Sequence, residues 1–140
     1  MKLVTRKIHF STQGNSEVIN LTNTVKKYLK GINLNSGLVN LFIPGATGGL
    51  TTIEYEPGLI DDFRQTFERI APEEAEYSHN LTHKDRNAHS HIRASLIGPS
   101  LSIPFGNATL QLGKWQQIVF IDFDNRPRKR EVVLQIIGER

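Results

Sequence analysis

Four of the five histidines of this 140-residue chain, His79, His83, His89 and His91, fall between Tyr77 and Gly98, in YSHNLTHKDRNAHSHIRASLIG. Asp85, Arg86, Asn87 and Arg93 lie among them. Imidazole ligates metals well and titrates near neutral pH. Such density points to a polar pocket for a metal or an anionic small molecule. His79 and His83 stand at i, i+4, a spacing that chelates a metal when the segment is helical. Ser78, Asn80 and Thr82 favour turns, so the expectation for 79–83 is a turn. His89 and His91 share a face on a strand and diverge on a helix. Because 88–97 reads as a short helix, only one of them is expected to enter a pocket readily. On that helix His91 and Ser95 share a face.

Three other stretches carry chemistry-bearing residues. Pro44 to Thr51, PGATGGLT, follows an apolar strand. Its glycines can present backbone N–H groups to an anion, although no P-loop lysine follows and motif strength alone favours a plain tight turn. Glu54 and Glu56 alternate with Ile53 and Tyr55, so both acids can point to one side of a strand. An inward Glu54 near the histidines would ligate a metal or act as a base. In Leu112 to Gln117, LGKWQQ, Trp115 is the only tryptophan and reads as a packing residue, while Gln116 can bring an amide to a ligand.

The bulk composition narrows the classes. The length suggests one domain over residues 1–140. With no cysteine, thiolate metal sites, cysteine nucleophiles and disulfides are excluded, so a metal must rest on His, Asp, Glu, carbonyls or water. No apolar run reaches the roughly 18 residues of a membrane span. MKLVTRKIHFST has scattered charges and no apolar h-region, so the expectation is a cytoplasmic protein without a membrane partner. Part of the +3 net charge sits in Arg126, Arg128, Lys129 and Arg130. A solvated turn and an anion-binding rim both explain that run. No basic stripe interleaves with aromatics, so no nucleic-acid partner is expected.

These residues need elements to hold them. Residues 2–11 read as a strand, and Gln13-Gly14-Asn15 as a turn into a second hairpin arm at Val18–Leu21. A helix starts at Thr22, with Val25, Tyr28 and Leu29 on one face, and stops at Gly31. GLVNLFI (37–43) is a buried strand, and 50–55 another. Residues 59–70 place Leu59, Ile60, Phe63, Phe67 and Ile70 at helical spacing, with Asp61 and Asp62 in the first turn. Strands follow at 101–104, 108–112, 115–123 and 131–137. The expectation is an α+β fold, an antiparallel or mixed β-sheet sandwich with a few helices.

Taken in order, several of these segments resemble one family. They are PGATGGLTTIEYE (44–56), Tyr77-Ser78-His79, NAHSHIRASLIG (87–98), Ser102-Ile103-Pro104, LGKWQQI (112–118) and the closing DFDNRPRKREVVLQIIGE. The family is the YjbQ-like family, often called secondary thiamine-phosphate synthase. The resemblance implies a compact α+β domain that assembles as a homotrimer, with sites near subunit interfaces and a divalent metal, zinc or magnesium. It also implies transfer of a hydroxymethylpyrimidine from its diphosphate to a thiazole phosphate, releasing pyrophosphate. The family's Tyr-x-His matches Tyr77 and His79, its Ala-His-Ile-Arg-Ala-Ser run matches 91–95 after the alanine, and its acid matches Glu54. Where many members have Pro-His-Thr-Thr, this chain has Pro44-Gly45-Ala46-Thr47, so either His89 or His83 replaces the missing imidazole or the chain binds no metal.

The expected site therefore has His79, His91 and His89 as metal ligands and His91, Glu54 and Arg93 as catalytic groups. Thr47, Asn87, Ser95, Gln116 and Arg128 are expected to hold a small phosphorylated metabolite. The alternative is a trimer that binds a metal or an anionic metabolite without turnover.

Overall fold

The computed structural model describes residues 1–140. The elements are β1 (Lys2–Thr12), β2 (Glu17–Asn20), α1 (Thr22–Lys30), β3 (Ser36–Phe42), β4 (Gly48–Glu54), α2 (Pro57–Ile70), α3 (Ser78–Thr82), α4 (Ala88–Ile97), β5 (Ser100–Gly106), β6 (Thr109–Leu110), β7 (Gln116–Asp122) and β8 (Arg128–Glu139). Two sheets form, with strand orders β1-β8-β3-β5-β6 and β2-β7-β4. Every pairing is antiparallel. The fold is α+β, and its sheets are antiparallel rather than mixed.

Strand alternation explains the layering. In β7, Ile118 and Phe120 enter the larger core with Val39, Leu41, Val132, Leu134 and Ile136 of the five-stranded sheet. The alternate residues Val119 and Ile121 face the other way, against Phe67 of α2 and Ala94 of α4. A strand covered on both faces must be apolar at successive positions, which is what Ile118 to Ile121 supplies. In α1, Val25 and Leu29 close the larger core.

Three local readings are corrected. Residues 17–20 do not pair back on β1 as a hairpin. β1 is paired along its length with β8, from Lys2 opposite Gly138 to Thr12 opposite Arg128. Gly14, Asn15 and Ser16, all at positive φ, carry the chain across to β7 of the other sheet. Asp61 and Asp62 lie beyond the first turn of α2. That turn is capped by Glu56, whose carboxylate accepts from the N–H groups of Gly58 and Leu59 at 3.1 and 2.6 Å. Residues 78–82 are a short helix rather than a turn. No helix is long and apolar enough to cross a membrane.

Candidate functional site

The loop after β3, Pro44 to Thr47, meets the β7–β8 connection and the start of α4 over a buried polar network. Its centre is two carboxylates, Asp122 and Asp124, with no solvent exposure. A buried carboxylate needs compensating charge and hydrogen bonds. Arg130 supplies the first set: Nε donates to Asp122 Oδ2 at 2.7 Å and Nη2 to Oδ1 at 2.9 Å. Thr12 Oγ1 adds a donor to Asp122 at 2.5 Å. Arg130 Nη2 also donates to Thr47 Oγ1 at 2.9 Å, and its guanidinium lies 5.6 Å from the Phe120 ring centroid.

Asp124 accepts from Arg128 Nε at 2.8 Å, the Asn125 N–H at 2.8 Å, Thr47 Oγ1 at 3.3 Å and Asn87 Nδ2 at 3.3 Å. Burial alone would raise its carboxyl pKa. The Asn125 N–H, the Arg128 and Asn87 donors and the Arg128 charge outweigh burial and hold it below the ordinary carboxylate range. Thr47, Asn87 and Arg128 are thus brought together, as parts of one network.

Above this network the loop is open. Gly45 has φ +123°, which side-chain-bearing residues rarely adopt, and a Cβ there would stand 3.6 Å from Arg130 Nη1. Gly48 is confined by packing, since a Cβ would meet the Phe120 ring at 2.4 Å. The N–H groups of Gly45, Ala46 and Thr47 donate to no group in the protein. Gly45, Ala46 and Gly48 line a cavity of about 250 Å³ with His91 and Ser95, one helical turn apart on α4. His91 Nδ1 lies 3.1 Å from the Ala46 carbonyl, so it carries the proton and leaves Nε2 as the uncommitted nitrogen. Ser95 Oγ donates to the His91 carbonyl at 2.8 Å.

His79 of α3 meets His91 edge to face at 4.9 Å between centroids, and His83 stacks on His79 at 4.2 Å. His89 is not in this cluster. Two residues along a helix point away from each other by about 200°, so His89 and Arg93 face the opposite side of α4. His89 is 2% exposed. Arg93 is tied to the Ala71 carbonyl at 3.0 Å, Ser16 Oγ at 3.2 Å and Glu68 Oε2 at 2.8 Å. Within one chain, then, His89 does not lie beside His79, nor Arg93 beside His91. Helical geometry separates them.

Glu54 and Gln116 are also elsewhere. They pair at one end of β4–β7, whereas Gly48 pairs with Asp122 at the other. The ends are six residue steps apart along the strand, roughly 20 Å. Gln116 serves its own turn, accepting from the Gly113 N–H at 2.7 Å and donating to Thr52 Oγ1 at 3.2 Å.

The implied divalent metal can be tested against these donors. No group of three or more His, Asp or Glu side chains is arranged to hold an ion. Stacked rings such as His79 and His83 direct their nitrogen lone pairs side by side, and His83 Nδ1 is 2.9 Å from Thr82 Oγ1. The buried carboxylates are consumed by Arg128 and Arg130. The donors of one chain do not make a metal set.

Asp122 and Asp124 were not singled out from sequence as site residues, and Arg130 entered only within the basic run read as a solvated turn or an anion-binding rim. The signal was present: acids at alternate positions ending an apolar strand, and arginines at alternate positions opening the next. Charges so placed on strands of a sandwich fall on its inner face and must pair.

The buried state of His89 has a measurable consequence. Burial first, then the neighbouring Arg93 charge, lowers its pKa below the usual imidazole value. The unfolded chain therefore takes up this proton first as pH falls. The stability that depends on neutral His89 is complete above about pH 6.5 and declines as pH drops toward the folded-state pKa. His89→Gln is expected to flatten urea-unfolding stability between about pH 7 and pH 5; an unchanged slope would contradict this assignment.

Known proteins share both sequence and fold. The family model described as UPF0047 protein YjbQ-like matches residues 6–139. A UPF0047 protein of Methanothermobacter thermautotrophicus is 32% identical over 139 residues, covering 99% of this chain and 95% of the relative. A crystal structure of a YbjQ-like protein from Sulfolobus solfataricus matches with a TM-score of 0.93 at 26% identity, covering 99% of both chains. A YjbQ/UPF0047 structure from Clostridium acetobutylicum matches with a TM-score of 0.82 at 34% identity, covering 93% of this chain and 99% of the other. The two-sheet architecture and these matches agree: the chain belongs to the UPF0047/YjbQ-like family.

Proposed function

We propose that the chain binds the phosphate end of a small phosphorylated metabolite in the cavity between the Pro44–Thr47 loop and α4. The observation that carries this reading is the run of uncommitted N–H groups at Gly45, Ala46 and Thr47. Successive amides of this kind form an anion-binding concavity. Arg130 Nη1 makes no bond within the protein and faces Gly45. On the opposite wall His91 Nε2 and Ser95 Oγ, whose protons are placed elsewhere, are acceptors for a protonated phosphate oxygen. Asp122 and Asp124 hold the two arginines in place and balance their charge, so the amides contribute the net attraction for an anion.

The finer reading is a thiamine-phosphate-synthase-like transferase working as a homotrimer. It uses the same pocket for a diphosphate. The carbon–oxygen bond to the diphosphate breaks, the thiazole nitrogen forms the new bond to that carbon, and pyrophosphate leaves. Amides and Arg130 would stabilise charge gathering on the leaving oxygens. With Glu54 and Arg93 outside the pocket, binding without turnover is the simpler function of one chain.

Calorimetric titration with inorganic phosphate and pyrophosphate tests the site. Binding is expected to weaken about 3- to 10-fold in His91→Ala and in Ser95→Ala, the loss of one hydrogen bond each. It is expected to persist unchanged in excess chelator. No binding of either anion, or equal binding by both variants, would overturn the proposal. Pyrophosphate release from the pyrimidine diphosphate plus thiazole phosphate separates the transferase from the binding protein, and sedimentation gives the oligomeric state.

A further inference from the structure

On the far side of α4 from His91 lies a second cavity, of about 280 Å³, with no hydrophobic side chain in its lining. Ser16, His89 and Arg93 are its buried members, each no more than 5% exposed. Arg64, Glu68 and Glu73 stand around them at the surface. An all-polar cavity is an unusual thing to leave beside a helix that packs on a sheet, because each buried polar atom needs a partner.

Most of those partners are present. Arg93 uses all three guanidinium nitrogens on Ala71, Ser16 and Glu68. Arg64 Nε donates to the Ser16 carbonyl at 3.1 Å. His89 is the exception. Its Nδ1 is buried with no hydrogen-bond partner, and its Nε2 has only Ser90 Oγ at 3.4 Å. A ring held nine-tenths buried with one nitrogen uncommitted is a hydrogen-bonding site awaiting a partner.

The charges around it say which partner. Arg64 and Glu73 line the same small cavity, yet neither takes part in an ion pair. Arg93 and Glu68 cancel each other at 2.8 Å. One guanidinium and one carboxylate remain without an ion-pair partner, of opposite sign and beyond salt-bridge distance of each other. A phosphate would meet Glu73 and a simple cation would meet Arg64, each with the wrong sign. A ligand carrying both charges satisfies both walls. The lack of apolar lining excludes a large aliphatic or aromatic substituent.

We propose that this cavity is a separate binding site for a small zwitterion of the α-amino acid class. Its carboxylate sits on Arg64, its ammonium on Glu73, and a polar atom of the ligand on the imidazole of His89. The site is independent of the phosphate pocket, since the two lie on opposite faces of α4.

Imidazole nitrogen spectra of the 15N-labelled protein, recorded during titration with glycine and with L-serine, test this directly. Saturable shifts of the His89 ring signals are expected with both. Acetate and methylammonium, each carrying one of the two charges, and L-leucine are expected to bind at least about tenfold more weakly. Arg64→Leu and Glu73→Leu are each expected to weaken glycine binding by about tenfold or more while leaving the amide spectrum folded. Absence of a saturable His89 shift at millimolar glycine and serine would overturn the proposal, as would acetate binding equal to glycine. Unchanged glycine affinity in both variants would also overturn it.

Discussion

Arg130→Met is expected to destabilise the protein by about 3–5 kcal/mol and to abolish phosphate binding. The substitution keeps most of the side-chain volume, so the loss is electrostatic. Asp122, with no solvent exposure, keeps the Thr12 hydroxyl and the Asp124 N–H but no opposite charge once its bidentate guanidinium is gone. A carboxylate stranded in the interior is worse than one never buried there. Thr47 loses its donor in the same step. Urea unfolding measures the stability, and the thermal midpoint should fall by about 10 °C or more. A loss below about 1 kcal/mol would show that Asp122 finds water or another donor. The paired change Arg130→Met with Asp122→Leu should recover much of the stability, because an apolar pair can replace a buried ion pair. It should not recover phosphate binding.

Phe120→Ala is expected to cost about 3–5 kcal/mol. Phe120 is fully buried and meets Phe10 edge to face at 5.3 Å between centroids. Its ring also lies against Gly48 and under Arg130. Truncation leaves a cavity between the sheets and removes the floor on which the Arg130 guanidinium rests. Phosphate affinity should therefore fall along with stability. Phe120→Leu, which fills much of the volume, should cost clearly less. Equal effects of the two substitutions would place the penalty in the aromatic contacts rather than the cavity.

Some elements were plain in the order of residues. α4 spans Ala88–Ile97 as its helical spacing suggests, and α1 begins at Thr22 and ends before Gly31. Val25 and Leu29 sit on its buried face because a period of 3.6 brings them there. The separation of His89 from His91 followed from the same period. The partner of β2 did not follow. A turn at Gly14 to Ser16 reads as a hairpin until the whole length of β1 is seen to be taken by β8. The short helix α3 was hidden because Ser78, Asn80 and Thr82 have turn preferences that tertiary context overrides.

The candidate site divides along the same line. Local spacing placed His91 and Ser95 on one helix face, and composition removed cysteine chemistry. Thr47, Asn87 and Arg128, expected to hold a metabolite, all bond to Asp124. Glu54 looked equally close to the histidines, yet strand pairing carries it to the far end of the sheet. Periodicity and turn chemistry act over a few residues, so a linear reading can recover helices, strands and which face a residue takes. Register between distant strands depends on how two sheets bury a shared core, an energy summed over the whole chain. That sum brought Asp122 against Arg130, opened the amides beside His91, and set His89 alone in a second cavity.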